Sequence, residues 1–497
     1  MRTPEEREKD WWQRWREEDY SWDGLADKRP IFGGPTLQEY WADEEDRLIP
    51  DPSDPEGRRY TRFHLPLTWA DGTPTEKVSW SEDDHWGLAK ELELRLQDAL
   101  DTNSMAHFSG VVLLNAPKMP LPKSKQDDSN QPMGVQVQFN NAWLKHGAIW
   151  AGQVLSHAAF SDVNFSGGAL FDNVKFSGYV GFSLATFSGD AGFNSATFSG
   201  DAKFVGATFS GDADLNQRLA FQDAVAKSGF RFFPAAFPSD PRFASGAFHG
   251  MVFEEIAYFG GAFHQFAAFE GADPRKDIRF SKFGNTPSPV GRIGVLSSLV
   301  SATQNVEQDK DEELKNLIGG TQILQIVSDR YRRREDERWF HRLELLAKEQ
   351  LSTTSWFERF LTKAYAWTSD FGSSIGRPLL SMVIVTLTCS ALYWTKSFNL
   401  GTNCPRLVHE TCEWENAGAQ VMPALTFAAN SAFRPAYAIS REERIANDFE
   451  KRILFGKGWK GALRAAFLGT LSTLQSFFSI IMLFLTGLAA RRRFQLS

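Results

Sequence analysis

The sequence predicts a mainly β solenoid that ends in a membrane-embedded helical pair. Three observations carry that prediction. Phenylalanine recurs every five or six residues through the middle of the chain, a small or β-branched residue stands two positions before most of those rings, and two long apolar runs occupy the C-terminal part.

The repeat is densest in "ATFSGDAGFNSATFSGDAKFVGATFSGDA", residues 185–213. Its ladder comprises Phe165, Phe171, Phe176, Phe182, Phe187, Phe193, Phe198, Phe204 and Phe209, preceded by Phe160, with gaps alternating between six and five residues. An amphipathic helix needs apolar residues every three or four positions and a half-buried strand every second one. A period of five to six fits neither. It fits a coil in which each unit forms one side, with Ala and Phe turned inward and like units stacked on like. Triplets such as Ser188-Gly189-Asp190 then turn the corners, where Gly and Asp tolerate unusual backbone angles. Burying each Phe contributes roughly 1.5–3 kcal/mol, so a column of rings can hold a thin rod together without disulfides. Ser188, Ser199 and Ser210 read as corner residues, because no His or acid recurs beside them at a spacing that would activate a nucleophile. Asp190, Asp201 and Asp212 should line one edge, either as a solvated corner or as a strip for a cationic partner.

This pattern closely resembles the pentapeptide-repeat family, whose unit is Ala-x-Leu/Phe-x-x. The resemblance covers roughly 137–270 and loosens after Leu215, where "FRFFPAAFPSDPRF" is expected to break register before Phe243, Phe248, Phe253, Phe259 and Phe269 resume it. It implies a right-handed quadrilateral β-helix. A sixth residue in alternate units implies coils of about 22 residues rather than about 20.

Residues 1–136 are polar, acidic and rich in tryptophan: Trp11, Trp12, Trp15, Trp22, Trp41, Trp69, Trp80 and Trp86. Trp11 and Trp15, four apart, share one helix face. "DHWGLAKELELRLQDAL" reads as an amphipathic helix capped by Asp83 or Asp84, and "HFSGVVLLNAP" reads as a strand. The segment is read as a mixed α/β cap over the open strand edges of the solenoid, with an aromatic binding surface as the alternative. His64 and His85 are solitary and read as ordinary packing or surface residues.

The β-helix is placed at 137–285 and a helical connector at 305–375, in which Gly319-Gly320 should loosen the first helix. "YRRREDER" reads as a solvated face of mixed charge. Residues 376–497 form the membrane domain, with spans at about 378–397 and 465–490. The second ends in Arg491, Arg492 and Arg493, which favours a cytoplasmic C-terminus. The N-terminus has no apolar leader, so both termini are expected in the cytoplasm and the protein in a bacterial inner membrane. The intervening loop then lies outside, where Cys404 and Cys412 can pair as a disulfide. This tail resembles that of bacterial pentapeptide-repeat proteins with two terminal transmembrane helices, through Ser369-Asp370-Phe371-Gly372, Arg377-Pro378 and the last span.

Functionally, the residues favour a membrane-anchored scaffold that presents a rigid surface to a protein partner. The expected partners are the lipid bilayer, an unidentified protein and further copies of the chain; no cofactor, metal or catalytic residue is assigned. The alternative is an oligomeric channel: "MPALTFAANSAFRPAY", residues 422–437, is too short to span, and Thr426, Asn430, Ser431 and Gln475 would line its pore. A DNA mimic is the third reading. Lys175, Lys203, Arg218 and Arg231 interrupt its acidic face. The net charge of −7 gives no reason to expect nucleic-acid binding. No phosphate-loop, His-Glu-x-x-His or Gly-x-Ser-x-Gly motif occurs.

Overall fold

The computed structural model describes residues 4–114, 134–145, 148–210, 218–238, 243–260, 263, 265–280, 307–369, 376–398, 425, 427–429, 431–432 and 459–494. The chain divides into two compact units, Met1–Ser352 and Thr353–Ser497.

The first unit is built around parallel strands mostly two residues long, visited by the chain in rotation through four ladders. Within one stretch it passes from Ala169–Leu170 to Lys175–Phe176, Val180–Gly181 and Thr186–Phe187. It then returns to Ala191–Gly192, which lies parallel to Ala169–Leu170 with Ala191 opposite Ala169. The other ladders keep the same identity of partners, Phe176 opposite Phe198 and Phe187 opposite Phe209. The longer strand Val154–Ala159 belongs to two ladders, pairing through Leu155 with Phe176 and through Ala158 with Val180. Equivalent residues in the regular stretch are 22 apart, as for Asp172 and Asn194. Across the coil that contains residues 211–217 the separation rises to 28, as for Asp190 and Arg218.

Register survives where it is expected to fail. Phe230–Phe233 lies parallel to Ala202–Val205, with Phe230 opposite Ala202 and Phe232 opposite Phe204. Both rings are buried. "FRFF" is therefore a ladder strand in which a ring takes the place of alanine. The stack also begins early: Met105–His107 pairs with Val135–Gln138, and Val112–Leu113 with Trp143–Leu144.

Helix α1 (Pro4–Glu17) buries Trp11 and Trp15 on one face. The Trp11 indole donates to the carbonyl of Asp162 at 2.7 Å and the Trp15 indole to that of Gly110 at 3.0 Å, while Arg14 grips the Asp162 carboxylate at 2.8 Å. So α1 lies across one corner of the early coils. After the short α2 (Leu37–Tyr40), Trp41 packs on Phe63 and Phe108. Phe108 in turn meets Phe139, the start of the ring column. Helix α3 (Glu82–Thr102) is capped by Ser81, not by an aspartate. The Ser81 hydroxyl accepts from the Asp84 N–H, and the Asp84 carboxylate accepts from the Ser81 N–H, a reciprocal box that fixes the first turn.

At the other end, α4 (Glu307–Arg330) and α5 (Arg334–Gln350) form a hairpin. Trp339 and Phe340 of α5 pack their rings on Phe266 at 4.9 and 5.5 Å. Gly319 and Gly320 do not break α4. They let it approach: a Cβ on Gly320 would stand 2.1 Å from the Phe266 carbonyl oxygen.

The second unit contains α6 (Trp356–Ser369), α7 (Gly376–Phe398) and α8 (Trp459–Phe494). α7 and α8 are long and apolar enough to cross a membrane, over Gly376–Tyr393 and Thr470–Gly487. Only 33% and 22% of those stretches are buried, unlike the core helix of a soluble domain.

Candidate functional site

Among the described residues, the repeat stretch offers surface and an interior filled with stacked rings. Phe165 stacks on Phe187 at 5.1 Å and Phe187 on Phe209 at 4.9 Å. Phe171 stacks on Phe193 at 5.1 Å and Phe176 on Phe198 at 5.2 Å. Phe160, Phe182 and Phe204 form another column at 5.0 and 4.9 Å. Within a column the rings are nearly parallel; between columns they meet edge to face, as Phe171 and Phe182 do at 72°. The strand spacing of about 4.8 Å imposes the parallel stacking, and the quadrupole of each ring favours the edge contacts. All nine ladder rings are buried.

Two kinds of corner alternate. The two-residue corners hold their second residue in the left-handed region: Asn173 (φ 57°), Leu184 (62°), Ser195 (53°) and Gly206 (73°). The Ser-Gly-Asp corners do not. Gly189 and Gly200 have ordinary φ, and their lack of a side chain serves close approach. A Cβ on Gly200 would lie 2.4 Å from the Gly178 carbonyl carbon of the coil before. The backbone N–H groups of Ser188, Ser199 and Ser210 donate to the carbonyls of Phe165, Phe176 and Phe187, and the Ser210 hydroxyl also reaches Phe187. Asp190 accepts from the Arg218 N–H at 2.8 Å. Asp201 accepts from the Ser228 hydroxyl at 2.8 Å and lies 3.9 Å from Arg231. These two carboxylates tie one coil to the next; Asp212 lies outside the described residues.

Among the ionisable groups that the N-terminal region buries are Lys77, which the sequence does not single out, and His64, whose reading as a packing residue fits its burial. Lys77 is fully enclosed and donates to the carbonyls of Arg62, Phe63 and Leu65 at 2.7, 3.2 and 3.2 Å. Burial, and then the Arg62 charge, push its ammonium well below the ordinary value. His64 lies between the Thr61 hydroxyl and the Ser109 carbonyl, stacked on Tyr20. Burial lowers it to about 3, against the Ser109 hydrogen bond. Each group is spent on holding 61–65, with none turned to a cleft. The Asp43, Glu44 and Glu91 carboxylates converge closely enough to hold a cation. Arg62 already bonds Glu44 at 2.5 Å and Glu91 at 3.0 Å, and Arg95 bonds Asp43 at 2.5 Å. The donor set is that of an ion-pair network that braces α3.

In the second unit, Gln475 of α8 is buried. Its amide donates to the Ala428 carbonyl at 2.7 Å and accepts from the Tyr393 hydroxyl at 3.3 Å. The Ser472 hydroxyl donates to that of Ser431 at 3.0 Å, and Ser476 to the Ser431 carbonyl at 2.5 Å. Two groups read as pore-lining, Ser431 and Gln475, thus lie in one seam and engage their own chain. Thr426, Asn430, Cys404 and Cys412 lie outside the described residues. Cys389 is buried with a free thiol.

Comparison with known families identifies the repeat. A family model described as pentapeptide repeats (9 copies) matches residues 171–217, which overlap the stretch of 22-residue register. Comparisons with curated proteins and with solved structures give no match. Pentapeptide repeats imply a β-solenoid, in keeping with the stacked parallel strands. Residues 171–217 therefore carry pentapeptide repeats.

Proposed function

We propose that the chain is a membrane-anchored, non-catalytic scaffold. Its four ladders would form the sides of a right-handed quadrilateral β-helix, carried by two transmembrane helices and displayed on the cytoplasmic side to a protein partner. The observation that supports this most is the contrast between the two units. The first fills its interior with rings and spends its buried charges on its own backbone and ion pairs, so it offers outer faces to bind with. The second turns apolar side chains outward: Leu380, Phe477 and Phe484 are 59%, 67% and 64% exposed. A soluble surface rarely carries so much contiguous apolar area. The cationic end of α8, at Arg491 to Arg493, favours the cytoplasmic side for the C-terminus, and a second span returns the chain to it.

Membrane fractionation tests the anchor. The full-length protein should stay with membranes through alkaline carbonate extraction, and deletion of 376–494 should release it. Extraction of the full-length protein would refute the anchored reading. The polar seam bears on the channel alternative, since hydrogen bonds between Gln475, Tyr393 and Ala428 use groups that a pore would leave to water.

A further inference from the structure

Helix α6 (Trp356–Ser369) is amphipathic in an unusual sense. At about 100° per residue, Trp356, Phe357, Phe360 and Leu361 share one arc and Glu358, Arg359 and Thr362 the opposite one, with Lys363 at the boundary. In water the apolar arc should be the buried one. Here it is turned out: Trp356 is 79% exposed, Phe357 53%, Phe360 59% and Leu361 48%. Arg359, Thr362, Ala364, Tyr365 and Ala366 are half-covered, and α6 packs on both α7 and α8. The helix also starts by its own chemistry. The Ser355 hydroxyl accepts from the Glu358 N–H at 3.2 Å, and the Glu358 carboxylate from the Ser355 N–H at 3.0 Å.

We propose that α6 lies in the headgroup–acyl boundary of the bilayer that α7 and α8 cross, with Trp356, Phe357, Phe360 and Leu361 sunk into lipid. The inference rests on the membrane-anchored reading. Fourteen residues reach about 21 Å, too short to span the apolar core of about 30 Å, which leaves the interface. Tryptophan with neighbouring cations is the composition of that zone. Continuity argues for lipid over a protein partner. Only residues 370–375 separate α6 from α7, whose Leu379, Leu380, Val383 and Ile384 are exposed in the same way. A lipid-bound α6 would also set the depth and angle at which the preceding chain leaves the membrane.

The test uses full-length protein in phosphatidylcholine–phosphatidylglycerol liposomes. A benzophenone amino acid replaces Phe360, Glu358 or, as a reference within α8, Leu483. After irradiation, lipid adducts are counted by mass spectrometry. The proposal predicts adducts at Leu483 and Phe360, with Phe360 exceeding Glu358 about fivefold or more, as one-sided burial of an interfacial helix requires. Adducts at Leu483 with none above the Glu358 level at Phe360 would overturn the proposal and leave the anchor intact. So would protein adducts at Phe360, which would mean a second chain or partner covers the arc. No lipid at Leu483 would overturn the anchored reading, and this inference with it.

Discussion

Replacing Phe182 with alanine should cost the solenoid about 4 kcal/mol. The ring is fully buried, stacked between Phe160 at 5.0 Å and Phe204 at 4.9 Å, and met edge-on by Phe171 at 5.2 Å and Phe193 at 5.5 Å. Losing its transfer free energy accounts for up to about 3 kcal/mol. The rest comes from the hole left behind, because these neighbours cannot close in. The Phe160 N–H donates to Gly181 and the Phe182 N–H to Lys203, both at 2.7 Å, so the ladders hold the coils at fixed spacing. Phe182→Leu, which retains most of the volume, should cost no more than about 1.5 kcal/mol. In a stack with nearest-neighbour coupling the damage should stay local. Hydrogen exchange on the full-length protein in lipid nanodiscs should show it as lost protection at 158–206, with denaturant unfolding giving the total. A loss below about 1 kcal/mol for the alanine variant, at unchanged denaturant dependence, would refute the reasoning, since it would mean that the rings are not close-packed.

Three further outcomes follow from the same geometry. Leu184→Asn should raise stability by about 1 kcal/mol, because Leu184 is exposed and holds φ at 62°, where asparagine is at ease; an unchanged unfolding midpoint would contradict the corner assignment. Gly200→Ala should destabilise by about 1–3 kcal/mol through overpacking against the Gly178 backbone, although its φ is ordinary; a neutral result in denaturant melts would mean that the coils stand further apart. His64 should make the N-terminal region acid-sensitive. Its folded value of about 3 lies below its ordinary 6.5, so as pH falls below 6.5 the unfolded chain takes up a proton that the folded one refuses. Stability from this group is complete above that value and falls by about 1.4 kcal/mol per pH unit below it, until the folded value is reached. His64→Asn should therefore lose less stability than the native protein between pH 7 and 4.5 by tryptophan-monitored unfolding, and equal losses would exclude His64 as the source.

The repeat was legible because its physics is periodic. A ring every five to six residues admits one stacking, and the identity of partners in each ladder follows from it. What escaped the sequence is set by contacts between distant residues. The indole of Trp11 meets Asp162 across 151 residues, and no local pattern marks that pairing. The role of Gly200 looks like turn chemistry in sequence but is a matter of clearance from the coil before. "FRFF" appears to break the pattern only if every first inward position must be small; next to longer coils a ring fits there. The start of the stack at Met105 was missed because its Ala-x-Phe unit, Ala106-His107-Phe108, stands apart from the run of repeats that begins near residue 137. In the second unit, length and composition reveal α7 and α8, whereas the pairing of Gln475 with Tyr393 and the outward arc of α6 depend on how the helices pack.

On the proposed reading the chain anchors and displays rather than conducts. Ion flux through liposomes holding oriented full-length protein tests it most directly. Leakage should be no greater than that of empty liposomes, because the described polar groups of the second unit close on one another. Cation or anion flux that disappears when residues 422–437 are deleted would contradict it and make the polar seam part of a pore.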